Sequence, residues 1–301
     1  MAALTLTKTL RVVRKAVCLA TAIFCAADCS DDTGVGRLID RLGLLTEYHF
    51  QQDARAYANH SNGGLRETYL ISALTEFEAM AVSLDSAFHL GLLYSNYLGM
   101  GRQNEAILFD PRDVHYAIAP FFEYRRGAVF FQAGLDHRCF HEVDRRTRAV
   151  SPYWNQAYVR ASSANYRFKL MKKNYIDAGR DGVFDNLKWQ AWAGYFVRKF
   201  GGMDSTLLSG GHPWAVAAGA EAGYSFYRSR SWIFSGRNKI AMFSDTAGTT
   251  PYWAGELGID ADVHNRQYAV GFFVSYNYEF PQTQPLFSKD RLVELGLRFR
   301  F

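Results

Sequence analysis

The sequence of 301 residues lacks several features that identify common classes of protein. It has no run of about twenty apolar residues, so no helix of the chain is expected to span a bilayer. Its four cysteines are too few for a disulfide framework. It contains no glycine-rich phosphate loop of the GxGxxG or GxxxxGK(S/T) type and no long basic run, so a nucleic-acid partner is not expected.

Apolar and aromatic residues, by contrast, are abundant. The chain is 49% hydrophobic and carries 18 Tyr, 23 Phe and 6 Trp. This composition excludes intrinsic disorder, because these side chains can bury far more surface than a disordered chain does. The mean hydropathy of -0.18 excludes a polytopic helical membrane protein. What remains is a soluble globular domain or a chain that crosses a membrane without helices.

The N-terminal residues have the pattern of a secretory signal peptide. Four basic residues between Lys8 and Lys15 precede an apolar run over residues 16–27, which is too short to span a membrane. Cys25, Ala26 and Ala27 place small residues where a signal peptidase reads them. We therefore predict cleavage after Ala27. The alternative is an amphipathic N-terminal helix of a cytosolic protein.

Alternation of apolar and polar residues with period two predicts strands with one lipid-facing side. The apolar side is rich in large aromatics, and the opposite side carries charge on one strand after another. The last segment shows this most clearly, since apolar residues at 293, 295, 297, 299 and 301 alternate with Glu294, Gly296, Arg298 and Arg300. A closed barrel also removes the unpaired strand edges that a bilayer does not tolerate. The predicted fold is therefore all-β: a transmembrane antiparallel β-barrel in the bacterial outer membrane, in contact with membrane lipids.

We predict about twelve strands, near residues 66–82, 87–97, 113–124, 128–140, 153–163, 166–175, 187–200, 213–226, 231–244, 250–261, 267–279 and 290–301. This assigns residues 1–27 to the signal peptide, 28–64 to an N-terminal segment without a role and 65–301 to the barrel. Bacterial barrels keep their periplasmic turns short, but the predicted short turns do not all fall at one end. Either residues 46–58 supply a further strand, with a compensating error near 176–212, or one strand boundary is misplaced.

One predicted hairpin carries residues with catalytic chemistry on its lipid-facing side. His137 and Cys139 share the apolar face of one strand, and Asn155 lies on the apolar face of the next. Polar groups that face acyl chains are unfavourable unless they are paired or used. A histidine beside a nucleophile, with an amide to orient the imidazole, has the arrangement of a catalytic triad. His137, Cys139 and Asn155 are therefore the candidate catalytic residues.

These two segments resemble the outer-membrane phospholipase A family, whose members carry a Gly-x-x-His-x-Ser strand and then a Trp-Asn-x-x-Tyr-x-Arg strand. This sequence reads Gly-Leu-Asp-His-Arg-Cys over residues 134–139 and Trp-Asn-Gln-Ala-Tyr-Val-Arg over residues 154–160. The resemblance implies that His137 is the base, that Cys139 occupies the nucleophile position and that Asn155 orients the imidazole, all on the outer face of the barrel. It further implies hydrolysis of phospholipid acyl esters, a requirement for calcium and activity as a homodimer.

Two departures from the family pattern bear on activity. Cys139 stands where the family has serine. A thiolate paired with imidazole is a competent nucleophile, but sulfur usually disturbs an oxyanion hole built for serine. Phe140, His141 and Glu142 follow, whereas the family has a glycine shortly after its serine. These departures leave open a second interpretation, a non-catalytic structural or transport barrel with a degenerate active site.

The same stretch also allows a metal-binding interpretation. His137, Cys139 and His141 alternate along the strand, and residues two apart lie ~6.6 Å from each other, which is a feasible spacing for zinc ligands. Glu142 and Asp144 lie just beyond and carry the carboxylate oxygens that calcium prefers. Glu142 and Asp144 are therefore the predicted calcium ligands of a phospholipase, and a zinc-binding barrel is the alternative.

Overall fold

A computed structural model of the chain describes residues 43–59, 71–84, 87–101, 110–142, 153–164, 166, 186–197, 214–245, 251–264, 268–279 and 292–300. These residues form twelve strands in a closed antiparallel barrel, where each strand pairs with its neighbours in sequence and β1 pairs with β12. No helix among the described residues is long and apolar enough to cross a membrane. The strands are β1 Gly43–Asn59, β2 Ile71–Ser83, β3 Phe88–Gly101, β4 Asp110–Arg126, β5 Val129–Glu142, β6 Tyr153–Ser163, β7 Leu187–Phe196, β8 Trp214–Arg228, β9 Trp232–Asp245, β10 Tyr252–His264, β11 Ala269–Glu279 and β12 Leu292–Arg300.

The strands turn their apolar side outward and their charged side inward. In β12, Leu295 and Leu297 are 47% and 48% exposed, whereas Glu294 and Arg298 are 0% and 6% exposed. A barrel in water would bury the leucines and expose the charges, so this outer surface is built for lipid. The predicted transmembrane β-barrel is confirmed, and the bacterial outer membrane is where barrels with this outer surface reside.

The two ends of the barrel differ in the length of their connections. Four of the five connections at the end where β1 starts and β12 ends are short, namely β2–β3, β4–β5, β8–β9 and β10–β11, whereas the fifth, β6–β7, spans residues 164–186. In the two-residue β4–β5 turn, Gly127 has a φ of 58°, which favours glycine. Bacterial barrels have their short turns on the periplasmic side, so the opposite, long-loop end faces the cell exterior.

An aromatic belt surrounds the short-turn end, as expected at a membrane interface. Its members form ring pairs across neighbouring strands, with centroids 4.9 to 6.2 Å apart in Phe88–Tyr124, Tyr227–Phe234 and Tyr268–Phe299.

Eleven of the predicted strands coincide with strands of the barrel. The twelfth strand of the barrel is β1, which contains residues 46–58, so the added strand of that alternative is correct. The predicted strand at 166–175 lies outside the described residues except for Tyr166, and β6 pairs directly with β7. The turn mismatch disappears as a result. The barrel begins within segment 28–64 rather than at residue 65, and the signal peptide at 1–27 lies outside the described residues.

One part of the lumen is filled by a network of buried ion pairs. Nε and Nη2 of Arg298 donate to the carboxylate of Asp53 at 2.9 Å each, and its Nη1 donates to Asp260 at 2.7 Å. Arg55 donates to Asp53 at 2.9 Å and to Glu294 at 3.2 Å. Because each charge is paired with an opposite one, the network offsets the unfavourable desolvation of these groups.

Aromatic and apolar side chains fill further parts of the lumen. The Phe273 ring lies 4.4 Å from the Arg298 guanidinium carbon and packs against two further arginines. A separate apolar cluster inside the barrel is formed by Met80, Ala119, Phe121 and Tyr158, with Leu93 packed against it.

Candidate active site

The candidate catalytic residues lie on the outer wall, toward the long-loop ends of β5 and β6. His137 and Asn155 are directly opposite each other in the β5–β6 register. Cys139 follows His137 by two residues on the same side of β5, three residues before the strand ends at Glu142. At about 3.3 Å per residue, the thiol lies ~10 Å from the end of the strand. The candidate site therefore faces the outer leaflet rather than the centre of the bilayer.

Gly134, the first residue of the β5 motif, allows β5 to lie close to β4. A Cβ at this position would lie 2.5 Å from the carbonyl oxygen of Pro120 and 2.9 Å from Cβ of Phe121. Since the first contact is with backbone, a larger residue would have to move the strand itself. A shift of β5 here would also displace His137 and Cys139, which follow within five residues.

One imidazole joins the three candidate residues. Nδ1 of His137 lies 3.0 Å from Oδ1 of Asn155, and Nε2 lies 3.1 Å from Sγ of Cys139. Because Oδ1 can only accept a hydrogen bond, the ring proton lies on Nδ1, and Nδ1 donates a hydrogen bond to Asn155. The lone pair of Nε2 then points at the thiol and can take its proton.

Apolar side chains that face the lipid surround this polar group. Leu135, Ile118 and Val159 are 52%, 42% and 59% exposed on the same wall. A polar side chain in such surroundings is unfavourable without a partner, so mutual hydrogen bonding keeps these residues on the lipid-facing side. The inward neighbours have a different role: Asp136 and Arg138 form an ion pair at 2.7 Å.

Two further side chains extend the group on the side of β4. Tyr116 lies directly opposite Cys139 in the β4–β5 register, with both side chains on the outer face. The Tyr116 hydroxyl lies 3.2 Å from Nε2 of His141, and the two rings stack with centroids 5.4 Å apart. The alternation of residues in β4 shows only that Tyr116 lies on an apolar face of that strand. Its proximity to Cys139 depends on the register between strands, which the alternation in one strand does not reveal.

The described residues contain no metal-binding group, and the predicted calcium ligands Glu142 and Asp144 are not tested by them. No three or more His, Cys, Asp and Glu side chains in the described ranges form a group that could hold a metal ion. His137 is engaged with the thiol and Asn155, and His141 is stacked on Tyr116. Asp144 and the side chain of Glu142 lie outside the described part of the chain.

No protein-family model and no curated protein matches the chain. Among solved structures it is similar to the outer membrane phospholipase A of Escherichia coli, at 12% identity and a TM-score of 0.49 over 85% of this chain and 92% of that one. The calcium-bound outer membrane phospholipase dimer of Salmonella typhi gives 12% and 0.49 over 85% and 90%. An outer membrane channel of Pseudomonas putida F1 gives 9% and 0.49 over 90% and 99%. Structural similarities at such low sequence identity do not indicate a shared activity.

Proposed function

We propose that this barrel hydrolyses acyl esters of membrane phospholipids at the outer leaflet, with Cys139 as nucleophile, His137 as base and Asn155 as the residue that orients the imidazole. The observation that carries the proposal is the double engagement of one imidazole, 3.0 Å from an amide oxygen and 3.1 Å from a thiol. Nucleophile, base and orienting group in this order are the recognised arrangement for acyl transfer.

The position of the site supports a lipid substrate. The three side chains lie on the outer wall among residues that contact acyl chains, so a phospholipid reaches them without leaving the bilayer. The ester groups of a phospholipid lie near the interface between acyl chains and head groups. The distance of Cys139 from the end of β5 brings the thiol toward that level.

The proposed reaction has two stages. In the first, Nε2 of His137 takes the thiol proton as Sγ of Cys139 bonds to the ester carbonyl carbon and the carbonyl electron pair moves to oxygen. The carbonyl then re-forms, the bond to the glycerol oxygen breaks, and that oxygen takes the proton from His137. In the second, His137 removes a proton from the water that attacks the thioester carbonyl carbon. The carbonyl then re-forms, the bond to Sγ breaks, and Sγ takes the proton from His137 as the fatty acid leaves.

Calcium dependence and a homodimer belong to the proposal because the motif resemblance implies them. The described side chains around the thiol are imidazole, phenol and amide groups, whereas calcium prefers several carboxylate and carbonyl oxygens. These residues do not fit a calcium site, and no step above runs through calcium. Calcium dependence is tested by comparing assays with added calcium and with EDTA, and the homodimer by sedimentation of the barrel in detergent.

Fatty-acid release from mixed phospholipid–detergent micelles tests the proposal, using the refolded barrel and its Cys139→Ala and Cys139→Ser variants. We expect release by the wild type and a loss of at least about 10³-fold in Cys139→Ala, because the nucleophile is gone. Cys139→Ser keeps a nucleophile at the same position and separates sulfur chemistry from the scaffold. Heat-modifiable gel mobility reports whether each variant has folded.

The outcomes separate the interpretations. Equal release by wild type and Cys139→Ala would exclude the thiol as nucleophile. Release by Cys139→Ser alone would mean that the site can catalyse hydrolysis with a serine nucleophile and that the cysteine of the wild type prevents it. Absence of release from all three folded proteins would leave the second candidate function.

That second candidate is a structural barrel without catalytic activity. The filled lumen favours it over a transport barrel, since Asp53 and Glu294 are fully buried in ion pairs that occupy the interior. A structural barrel needs no open path and no working nucleophile.

A further inference from the structure

We propose that Tyr116 is a catalytic residue of the proposed hydrolase: its hydroxyl donates a hydrogen bond to the oxyanion that forms when Cys139 attacks an ester, and His141 positions it. This inference rests on the proposed function, because it assigns the group that stabilises the negative charge in the same reaction.

The first observation is the place of the phenol. Tyr116 is the cross-strand partner of Cys139, with both side chains on the outer face of the barrel. Directly opposed side chains of an antiparallel pair have Cβ atoms about 4.5–5.5 Å apart. A carbonyl carbon bonded to Sγ therefore brings its oxygen within reach of the Tyr116 hydroxyl.

The second observation is the division of roles among the groups around the thiol. His137 receives the thiol proton and must return it to the leaving oxygen, so it is committed to proton transfer. Cys139 lies opposite Tyr116 on β4 and opposite Tyr153 on β6. Both phenols are neutral donors, and of the two it is Tyr116 whose hydroxyl is held by a described partner, His141.

The third observation is that the phenol is held in place. The His141 ring stacks on Tyr116 at an interplanar angle of 21°, and Nε2 lies 3.2 Å from the hydroxyl. When Nε2 carries a proton it donates to the phenol oxygen, which leaves the Tyr116 proton free to point at the substrate. A donor fixed before the reaction loses little orientational freedom as the charge develops, which makes its hydrogen bond effective.

The proposed contact exists only while the carbonyl oxygen is negative. Attack by Sγ moves the carbonyl electron pair onto oxygen as the thiol proton passes to His137, and Tyr116 then donates to that oxygen without transferring its proton. When the pair returns to re-form the carbonyl, the glycerol oxygen leaves with the proton from His137. Tyr116 is unchanged at the end of the step.

Tyr116→Phe tests the proposal, because it keeps the ring and its stacking and removes only the hydroxyl. The matched control is Tyr153→Phe, which removes the same atom from the residue that flanks Cys139 on the other side. For Tyr116→Phe we expect kcat/KM for ester hydrolysis to fall about 10²-fold, as for the loss of one oxyanion donor, with KM nearly unchanged. Tyr153→Phe should stay within about twofold of the wild type.

Two thiol-directed reagents separate an oxyanion role from a structural one. An alkyl trifluoromethyl ketone adds to the thiol to give a hemithioketal with a charged oxygen, and ¹⁹F NMR measures its affinity without turnover. Iodoacetamide alkylates the same sulfur without forming an oxyanion. In Tyr116→Phe the affinity for the ketone should fall by about the same factor as kcat/KM, and the alkylation rate should not change. His141→Phe should show a smaller loss in both oxyanion-dependent measurements.

If Tyr116→Phe and the wild type have the same ketone affinity and the same rate of hydrolysis, the proposed role of Tyr116 is wrong. Such a result would not affect the proposal that hydrolysis depends on Cys139. Parallel losses in alkylation and ketone affinity would assign Tyr116 to the state of the thiol or to the fold and would also overturn the proposal. If the wild type gives neither a Cys139-dependent adduct nor Cys139-dependent hydrolysis, the proposed function itself fails, and the role of Tyr116 fails with it.

Discussion

In the proposed reaction the two nitrogens of His137 have different roles, and Asn155 keeps them distinct. The Asn155 oxygen can only accept, so it holds the proton on Nδ1 and leaves Nε2 free to accept the thiol proton. Without this acceptor the imidazole can adopt the other tautomer, in which Nε2 is already protonated and cannot act as the base. The amide therefore acts through the histidine and does not need to touch the substrate.

Replacement of Asn155 by alanine should lower kcat about tenfold to hundredfold and leave KM nearly unchanged, because the substrate contacts remain and only the imidazole loses its orientation. Asn155→Asp, which restores an acceptor at the same place, should recover most of that loss. Initial rates on a soluble aryl ester in micelles measure both variants. Full activity in Asn155→Ala would show that the imidazole needs no orienting partner.

At the scale of single elements, alternation predicted most strands but not β1. Strands such as β12 alternate large apolar side chains with charges, and a period of two is then obvious. The outward side of β1 includes Gln52, Ala54 and Ala56, which give only a faint apolar signal. Its place in the barrel depends on pairing with β2 and β12, a property that no single segment contains.

Part of the candidate site could likewise be predicted from the sequence, and part of it could not. His137, Cys139 and Asn155 could be predicted because residues two apart share a face and the hairpin brings the two strands together. The contact between Tyr116 and Cys139 could not, since a shift of one residue between β4 and β5 would move Tyr116 to the lumen. Register is fixed by packing between strands, including the close approach at Gly134.

Glycines opposite aromatic residues set the packing of two strand pairs. Gly296 lies opposite Phe273, and Gly91 lies opposite Phe121. In each pair the ring occupies the space where a Cβ of the glycine would stand. A ring that covers the glycine of a neighbouring strand protects the backbone there and fills the lumen.

Gly296→Ala should therefore lower the free energy of unfolding by about 1–3 kcal/mol, because the new methyl group would overlap the Phe273 ring and lie 2.8 Å from the carbonyl oxygen of Ala54. Gly236→Ala is the matched control, since no heavy atom lies closer than 4.0 Å to its added Cβ. We expect a change within about 0.5 kcal/mol for Gly236→Ala. Urea unfolding in lipid vesicles, followed by tryptophan fluorescence, measures both. Equal stability of the two variants would contradict this account of the lumen.

At the scale of the whole molecule, ion pairs cross the interior of the barrel. Arg298 bridges Asp53 on β1 and Asp260 on β10, so the ion pairs extend across the lumen between strands that are not neighbours. The described side chains leave a cavity of about 410 Å³. Removal of one partner would leave a buried charge with only its remaining ion pair, which is unfavourable, whereas removal of both partners leaves space that water can enter.

These contacts predict that the wild-type barrel carries no steady ionic current in planar bilayers. The double variant Asp53→Ala, Arg298→Ala removes the central ion pair and should show current, because water and ions can enter where the two side chains had packed. Leu297→Ala is the matched control: it shortens the neighbouring residue of the same strand, which faces lipid and is 48% exposed, and it should remain closed. Steady current through the wild type would contradict a filled lumen and favour transport over both proposed functions. Current in Leu297→Ala would show that loosening the strand, rather than emptying the lumen, opens the path.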